Sequence, residues 1–485
     1  MSHKTYDIVV VGGGFSGILA AGILAEHALN VLIVDENINL GGQYLRSHPA
    51  QSGADNSFNR LKRFGLQSIK ALDENRIHIM TRTEVIGITA ERQLLICEAG
   101  RRLYTLRPEA VLIATGAREK FVPFKGWTLP GVISTGAAQI LLKGSGVLPS
   151  EDILIGGAGI FPYAVAAEIL MKKGRVRAVL DQNHLSEKMA IAGGLLLEKS
   201  KIGDGIRTMA KLILSRTPVK FGTRIIEARG EKSLEEVLTV KIDRNGRRLP
   251  GSEIAYPCDC LALGYGFVAN IELAQLAGCR LEHDKNQGGW MVRVSEDLET
   301  SVSGIFAAGE ITGIAGAAKS VTEGKLAALS ILLRLGKISR DTFSARSTPL
   351  KKARKQHLRF GGYFNAQHKI PREVIRSIAD ETIVCRCEDI TMGEIKTAVL
   401  DGRATPDDVK KAVRAGMGIC QGRTCAPIIY EVIAAFKGTA ADHISPLSVR
   451  TPLKAVSLKA LAGPISKLVK IQATAESAAS GLSEL

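Results

Sequence analysis

From Tyr6 to Val11 the chain reads YDIVVV, apolar apart from Asp7 and of the length of a strand buried on both faces. Gly12, Gly13, Gly14, Phe15, Ser16 and Gly17 follow at once, and then an apolar helical pattern continues through Ala28. A second apolar strand, Val31 to Val34, ends at Asp35. The same order of parts returns later. Asp152 to Ile155 forms an apolar strand, Gly156, Gly157, Ala158 and Gly159 a turn, and the next residues a helix through Met171. The strand Val176 to Leu180 then ends at Asp181. Strands alternating with helices in this way predict an α/β chain with two three-layer, Rossmann-like domains.

The first turn is G-x-G-x-x-G in the setting its chemistry requires. Gly12 permits the tight turn, Gly14 lets the backbone approach a pyrophosphate, and Gly17 lets the helix pack on the strand. The helix N-terminus offers unpaired N–H groups and a positive dipole end to the phosphates. Eighteen residues beyond Gly17, Asp35, with Glu36 beside it, can accept hydrogen bonds from ribose hydroxyls. A dinucleotide is expected here. In the second unit Pro162 stands where the third glycine would be, while Asp181 keeps the ribose acid and favours NAD over NADP. A second bound nucleotide, NAD or ATP, and a structural remnant both remain open for that domain.

Composition supports a multidomain globular chain: 485 residues, 45% hydrophobic and 23% charged, leave material for two or three cores. Fifty glycines against 5% aromatic residues suit nucleotide-binding folds better than an aromatic-rich sandwich. The net charge of +16 is spread along the chain. Its densest run, Lys351, Lys352, Arg354, Lys355 and Arg359, is short and lacks the interleaved aromatics of a nucleic-acid platform. That run is expected to be a solvated helix face or an inter-subunit contact, with no nucleic-acid partner. Apolar stretches such as Ile153 to Met171 are interrupted by glycines, Pro162 and Glu168, so no membrane span is expected. The start lacks a basic region and a small-residue cleavage site, which points to the cytoplasm.

Four of the eight cysteines form a pattern. Cys385 and Cys387 lie in IVCRCEDIT, and Cys420 and Cys425 in AGMGICQGRTC, with thirty-two residues between the pairs. Four thiolates suit tetrahedral zinc or a [2Fe–2S] cluster. The C-x-C spacing is unlike the usual zinc knuckle, and the whole pattern resembles the bacterioferritin-associated-ferredoxin-like [2Fe–2S] domain. Gly416, Gly418 and Gly422 would let backbone N–H groups approach the cluster sulfurs. Cys97, Cys258, Cys260 and Cys279 have no second pair to complete a site and are expected in the core.

Three further segments resemble the two-dinucleotide-binding flavoprotein superfamily. Val111 to Arg118, VLIATGAR, is similar to its returning strand and turn at Ala114, Thr115 and Gly116; Gly304 to Glu310, GIFAAGE, to its second FAD signature. In that signature the acid after Gly309 bonds the ribityl chain, and Glu310 stands where the family more often has Asp. Gly313 to Ala317, with Gly316 and Ala317 at its end, opens a helix toward the flavin, and Gly41, Gly42 and Gln43 look like the flavin-side loop. The resemblance implies FAD at the first site. No C-x-x-C lies near the first motif, which argues against a disulfide relay.

Pro123 to Lys143, PFKGWTLPGVISTGAAQILLK, and Val449 to Ala462, VRTPLKAVSLKALA, extend the likeness. Nearly the whole chain resembles the FAD-containing α (or A) subunit of bacterial heteromeric amine and amino-acid dehydrogenases. That group includes opine oxidases, hydrogen cyanide synthase and proline or hydroxyproline dehydrogenases. It implies an FAD-binding domain in two segments, 1–120 and 265–337, around an NAD-like domain at 121–264. A linker at 338–378, a [2Fe–2S] domain at 379–437 and a tail at 438–485 complete it. It also implies a partner, the smaller flavoprotein β subunit, together with an electron acceptor and a place for FMN at the interface between subunits. Substrate oxidation is then expected on the partner, with this chain handling the electrons. An NAD(P)H-dependent FAD/[2Fe–2S] reductase is the alternative, and a non-catalytic scaffold a third reading that the intact cofactor motifs oppose. No motif ties a catalytic base to substrate; His48, His184, His357 and His368 are expected as surface or packing residues.

Overall fold

A computed structural model describes residues 6–46, 60–189 and 202–468. His48 and the last part of the tail lie outside them. The first domain is built on a five-stranded sheet in the order Ile305–Ala307, Ala110–Ile113, Ile8–Val11, Val31–Val34, Ile77–Met80. All its neighbours are parallel. The alternation of side chains along a strand divides the core. Ile8 and Val10 pack with the helices Phe15–Glu26 and Ala317–Arg334 on one face. Val9 and Val11 meet Val85, Ile96 and Leu106 of an antiparallel meander on the other. Both faces are covered, which is why these strands are continuously apolar. The edge of the meander is closed by Ile465–Lys467, added parallel to Arg102–Leu106.

The middle domain repeats the plan with the order Val219–Phe221, Arg175–Asp181, Asp152–Gly157, Cys260–Gly264, Val132–Ser134. An antiparallel pair, Ala117–Glu119 with Phe267–Ala269, joins the two domains. Residues 340–366, expected within a linker, form one 27-residue helix, Arg340–Ala366, capped by the Ser339 side chain. Of its basic run, Lys352, Lys355 and Arg359 are exposed, as a solvated helix face would be, while three of the five residues pair with the flavin-side domain. Lys351 pairs with Asp297 at 2.5 Å, Arg354 with Glu323 at 2.7 Å and Lys355 with Glu296 at 3.3 Å.

The C-terminal domain consists of the short pair Ile383–Cys385 and Ile390–Thr391 and the helices Met392–Leu400, Pro406–Val413 and Ala426–Lys437. Its core is continuous with that of the middle domain. Val384, Ile395, Ile428 and Ile433 belong to one buried cluster with Phe124, Trp127, Leu154 and Leu261 of the middle domain. Trp127 Nε1 donates to the carbonyl of Ile383 at 2.6 Å, and the guanidinium of Arg386 lies over the same indole, 5.2 Å from its centre. Among the described residues no helix is long and apolar enough to cross a membrane.

Candidate functional site

The first glycine turn has the geometry a diphosphate needs. A Cβ on Gly12, whose φ is +106°, would lie 2.4 Å from the carbonyl oxygen of Ala114, and one on Gly17 would lie 2.0 Å from that of Gly12. Those two glycines serve the chain's own packing. Gly14 differs: the nearest atom to a Cβ there is Cα of Gly42, 4.0 Å away. Gly14 is also the N-cap of the helix Phe15–Glu26, with no side chain capping the free N–H groups. Space and uncapped donors therefore coincide at Gly14, Phe15 and Ser16, and the turn fits a dinucleotide. Gly41 and Gly42 have positive φ and bring their loop against this turn, and Gln43 beside them is exposed. Ala114, Thr115 and Gly116 close it from the neighbouring strand, with Thr115 Oγ1 donating to the Asn270 carbonyl at 2.9 Å.

Three carboxylates expected at the cofactor are engaged by the chain. Asp35 accepts from the Gly13 N–H at 2.6 Å and from the Asn37 N–H at 2.7 Å, so it holds the turn together. Glu36, beside it, is paired with Lys454 from the C-terminal segment, which also reaches Glu84 at 2.9 Å. Glu310 accepts from the Gly316 N–H at 2.8 Å and the Ala315 N–H at 3.3 Å, at the entry to the helix Ala317–Arg334. Burial holds its carboxyl above the ordinary range against the pull of Lys319 and those amides.

Beneath this turn lies a charge cluster that no sequence motif announces. Lys319 and Glu323 are both fully buried and 2.9 Å apart. Lys319 Nζ also donates to the Gly309 carbonyl at 2.7 Å and meets Thr312 Oγ1 at 2.6 Å. Glu323 accepts from the Gly309 N–H at 2.8 Å and from Arg354 at 2.7 Å. The peptide groups on either side of Gly309 are thus gripped by opposite charges. The i, i+4 spacing of Lys319 and Glu323 was visible; their burial was not.

The four C-terminal cysteines are brought together. Among the described residues no three Cys, His, Asp or Glu side chains converge on a single ion position. The thiols meet as two pairs, Cys385 with Cys425 and Cys387 with Cys420. Two pairs are what a two-iron cluster requires, two thiolates to each iron. Cys385 and Cys425 are buried, Cys387 is exposed and Cys420 half-buried. Contact with the Cys425 thiol, helped by the amides of Gly416, Cys387 and Glu388, pushes Cys385 down to about 6 despite burial. The same contact, with burial, pushes Cys425 up. Gly418 is obligatory, since its Cβ would lie 2.2 Å from that of Cys387. The thiol set and its amide donors fit a [2Fe–2S] cluster. Cys97, Cys258, Cys260 and Cys279 are buried free thiols elsewhere.

The cluster loop is seated on the flavin domain. Arg118, two residues after Gly116, donates to the carbonyl of Arg423 at 3.0 Å and to Asn270 Oδ1 at 2.7 Å, and pairs with Glu272 at 2.6 Å. Arg423 lies between Cys420 and Cys425. Lys120 pairs with Glu431 at 2.7 Å across the same seam, beside a cleft of about 90 Å³ that also contains His283, Trp290 and Tyr430.

The second nucleotide-like turn is different. Pro162 falls in the first turn of the helix Phe161–Met171, where a missing N–H costs nothing, so the helix forms intact. Asp181, however, accepts from Tyr163 at 2.6 Å and pairs with Lys188 at 2.7 Å, both largely buried.

Fold, glycine turn and thiol pairs together define an FAD-type oxidoreductase with an iron–sulfur domain. Residues 6–324 match the model of the pyridine nucleotide-disulphide oxidoreductases, and residues 383–435 that of the BFD-like [2Fe-2S] binding domain. The chain is 30% identical over 470 residues to the A subunit of the opine oxidase of Rhizobium meliloti, covering 95% of this chain and 88% of that one. It is 32% identical over 437 residues to the HcnB subunit of the hydrogen cyanide synthase of Pseudomonas aeruginosa, covering 86% and 90%. The chain therefore belongs to the pyridine nucleotide-disulphide oxidoreductase family, in the group formed by these oxidase and synthase subunits. The L-proline dehydrogenase of P. horikoshii shares its fold, with a TM-score of 0.68 at 20% identity over 95% of this chain and 80% of that one.

Proposed function

We propose that this chain is the electron-transferring subunit of a heteromeric dehydrogenase or oxidase that oxidises a C–N bond of an amino acid or opine. Substrate is oxidised on a smaller flavoprotein partner, and the assembly works in the cytoplasm, where thiols such as Cys97 and Cys279 stay reduced. FAD lies on the turn Gly12, Gly14, Phe15, Ser16 and Gly17, with the carboxylates of Asp35 and Glu36 at its ribose end. Gly42, Gln43, Ala114, Thr115, Gly116, Gly309, Glu310, Gly316 and Ala317 surround the rest. Cys385, Cys387, Cys420 and Cys425 ligate the cluster. When bound, FAD exchanges electrons in pairs or singly, and the cluster carries one at a time.

The observation that carries this reading is the seam at Arg118. The turn that closes the flavin site continues directly into a residue bonded to the cluster loop, which keeps the two redox sites of one chain in fixed register. The alternative, a reductase fed by NAD(P)H, needs a carboxylate free for a ribose in the middle domain. Asp181 is paired with the buried ammonium of Lys188, whereas Asp35 at the first turn is engaged, among the described residues, only by neutral amides. The test is anaerobic addition of proline, hydroxyproline or opines, and separately of NADH, to the purified chain with and without its partner, followed by visible and EPR spectra. Reduction by an amine only when the partner is present supports the proposal. Rapid bleaching by NADH alone would replace it with the reductase, and absence of a reduced [2Fe–2S] signal under dithionite would remove the cluster.

A further inference from the structure

The glycine turn of the middle domain is filled from within. Gly159 and Gly266, with φ of +89° and +90°, face the imidazole of His368: a Cβ on Gly159 would lie 2.1 Å from Nε2, and one on Gly266 would lie 2.5 Å from Cγ. His368 follows the long helix Arg340–Ala366 and is 9% exposed. Its ring packs edge-on against Phe364, 4.6 Å between centres, and neither nitrogen has a hydrogen-bond partner. Burial, with Lys188 and Lys120 nearby, pushes its imidazolium down to about 3, so the ring is neutral. It holds its place by shape.

The neighbours of His368 occupy the remaining nucleotide determinants. Asn183 Nδ2 donates to the Gln367 carbonyl at 2.9 Å, and Gln367 Nε2 donates to the Glu187 carbonyl at 2.9 Å. Lys188 spans the site, donating to the Gly159 carbonyl at 2.8 Å while pairing with Asp181. A dinucleotide needs the face of the turn open for its diphosphate and the strand-end acid free for its ribose. Here an imidazole takes the first place and an ammonium the second. Beyond His368 the chain stays on this domain: Arg224 donates to the Val374 carbonyl at 3.0 Å and to Ser377 Oγ at 2.7 Å, just before the strand that leads to Cys385.

We infer that residues 365–377 are a strap for which the old nucleotide site has become the seat, with His368 as its plug, and that this seat holds the cluster domain in place. The middle domain then binds this chain's own segment where relatives of its fold would bind a second nucleotide. This goes beyond the proposed function and does not rest on it.

The experiment uses the full holo-chain. ADP-ribose, which carries the diphosphate and ribose but no redox group, is titrated calorimetrically, and hydrogen exchange is followed in wild type, His368→Gly and His368→Leu. No saturable binding of ADP-ribose to wild type is expected. His368→Gly should speed amide exchange across residues 365–377 about ten-fold while residues 6–46 keep their rate. His368→Leu, which fills the turn without either nitrogen, should remain as slow as wild type. Submillimolar binding of ADP-ribose to wild type would overturn the inference, as would unchanged exchange in His368→Gly or fast exchange in His368→Leu. Bleaching by NADH would overturn both this and the electron-transfer reading. ADP-ribose binding without bleaching would overturn this one alone.

Discussion

Replacing Lys319 by Met tests whether the buried charges beneath the Gly309 turn hold the flavin site. Met keeps most of the apolar stem and removes the ammonium. Three contacts are lost, to the Gly309 carbonyl, Thr312 Oγ1 and Glu323. Glu323 stays fully buried with a single cation, Arg354, at 2.7 Å. Removing one partner of a buried pair costs about 3–5 kcal/mol, and the remaining Arg354 places this case near the lower end, about 3 kcal/mol. Urea denaturation of the flavin domain, followed by release of FAD fluorescence, measures it. The turn should loosen before the rest of the chain, because the Gly309 carbonyl loses its anchor and the Gly309 N–H is left to a carboxylate that has lost one of its two cations. A loss below about 1 kcal/mol, the value of an exposed pair, would refute the reasoning. So would FAD release that coincides with wild type.

Glu323→Gln should flatten the acid limb of stability. Burial alone would raise this carboxyl, but Lys319 and Arg354 outweigh it and hold the group below its ordinary value. Its contribution is therefore present above the usual carboxylate range and lost as pH falls through the depressed value; pH-dependent melting curves of wild type and variant check this. Gly14→Ala should leave the apoprotein's melting temperature unchanged and lower FAD occupancy, because a Cβ there meets open space, whereas Gly12→Ala should fail to fold; absorbance ratios and melting curves separate them. Cys385→Ser should abolish the reduced-cluster EPR signal and drop iron below two per chain, while Cys258→Ala keeps both. Arg118→Ala removes bonds to Arg423, Asn270 and Glu272, and should cost about 2 kcal/mol and slow flavin-to-cluster transfer in flash photolysis.

The two Rossmann-like units and the thiol set were legible because each rests on residues adjacent in the chain. A glycine turn between a strand and a helix needs nothing distant to be recognised, and the C-x-C and C-x₄-C spacings are equally local. The stretch at 340–366 was harder. The resemblance implied a linker there, but capping by Ser339 and ion pairs to Asp297, Glu323 and Glu296 support a continuous helix. Asp35 and Glu310 were expected to face the cofactor, and position along the chain could not show that backbone amides at Gly13 and Gly316 already engage them.

By itself, then, the sequence determined the two strand–turn–helix units and the iron–sulfur domain after them, and pointed to the first glycine turn and to four thiols as candidate cofactor sites. Tertiary structure alone decided what the second glycine turn holds and how the cluster is mounted. His368 stands more than two hundred residues from Gly159, and Trp127 Nε1 reaches the Ile383 carbonyl across 256 residues. Such contacts carry no local signature, because a histidine after a helix or a tryptophan in a loop reads the same whether it faces water or a distant turn of the chain. Only chain closure brings the partners together, and burial then fixes whether a charge such as Lys319 is a solvated surface group or the anchor of a turn.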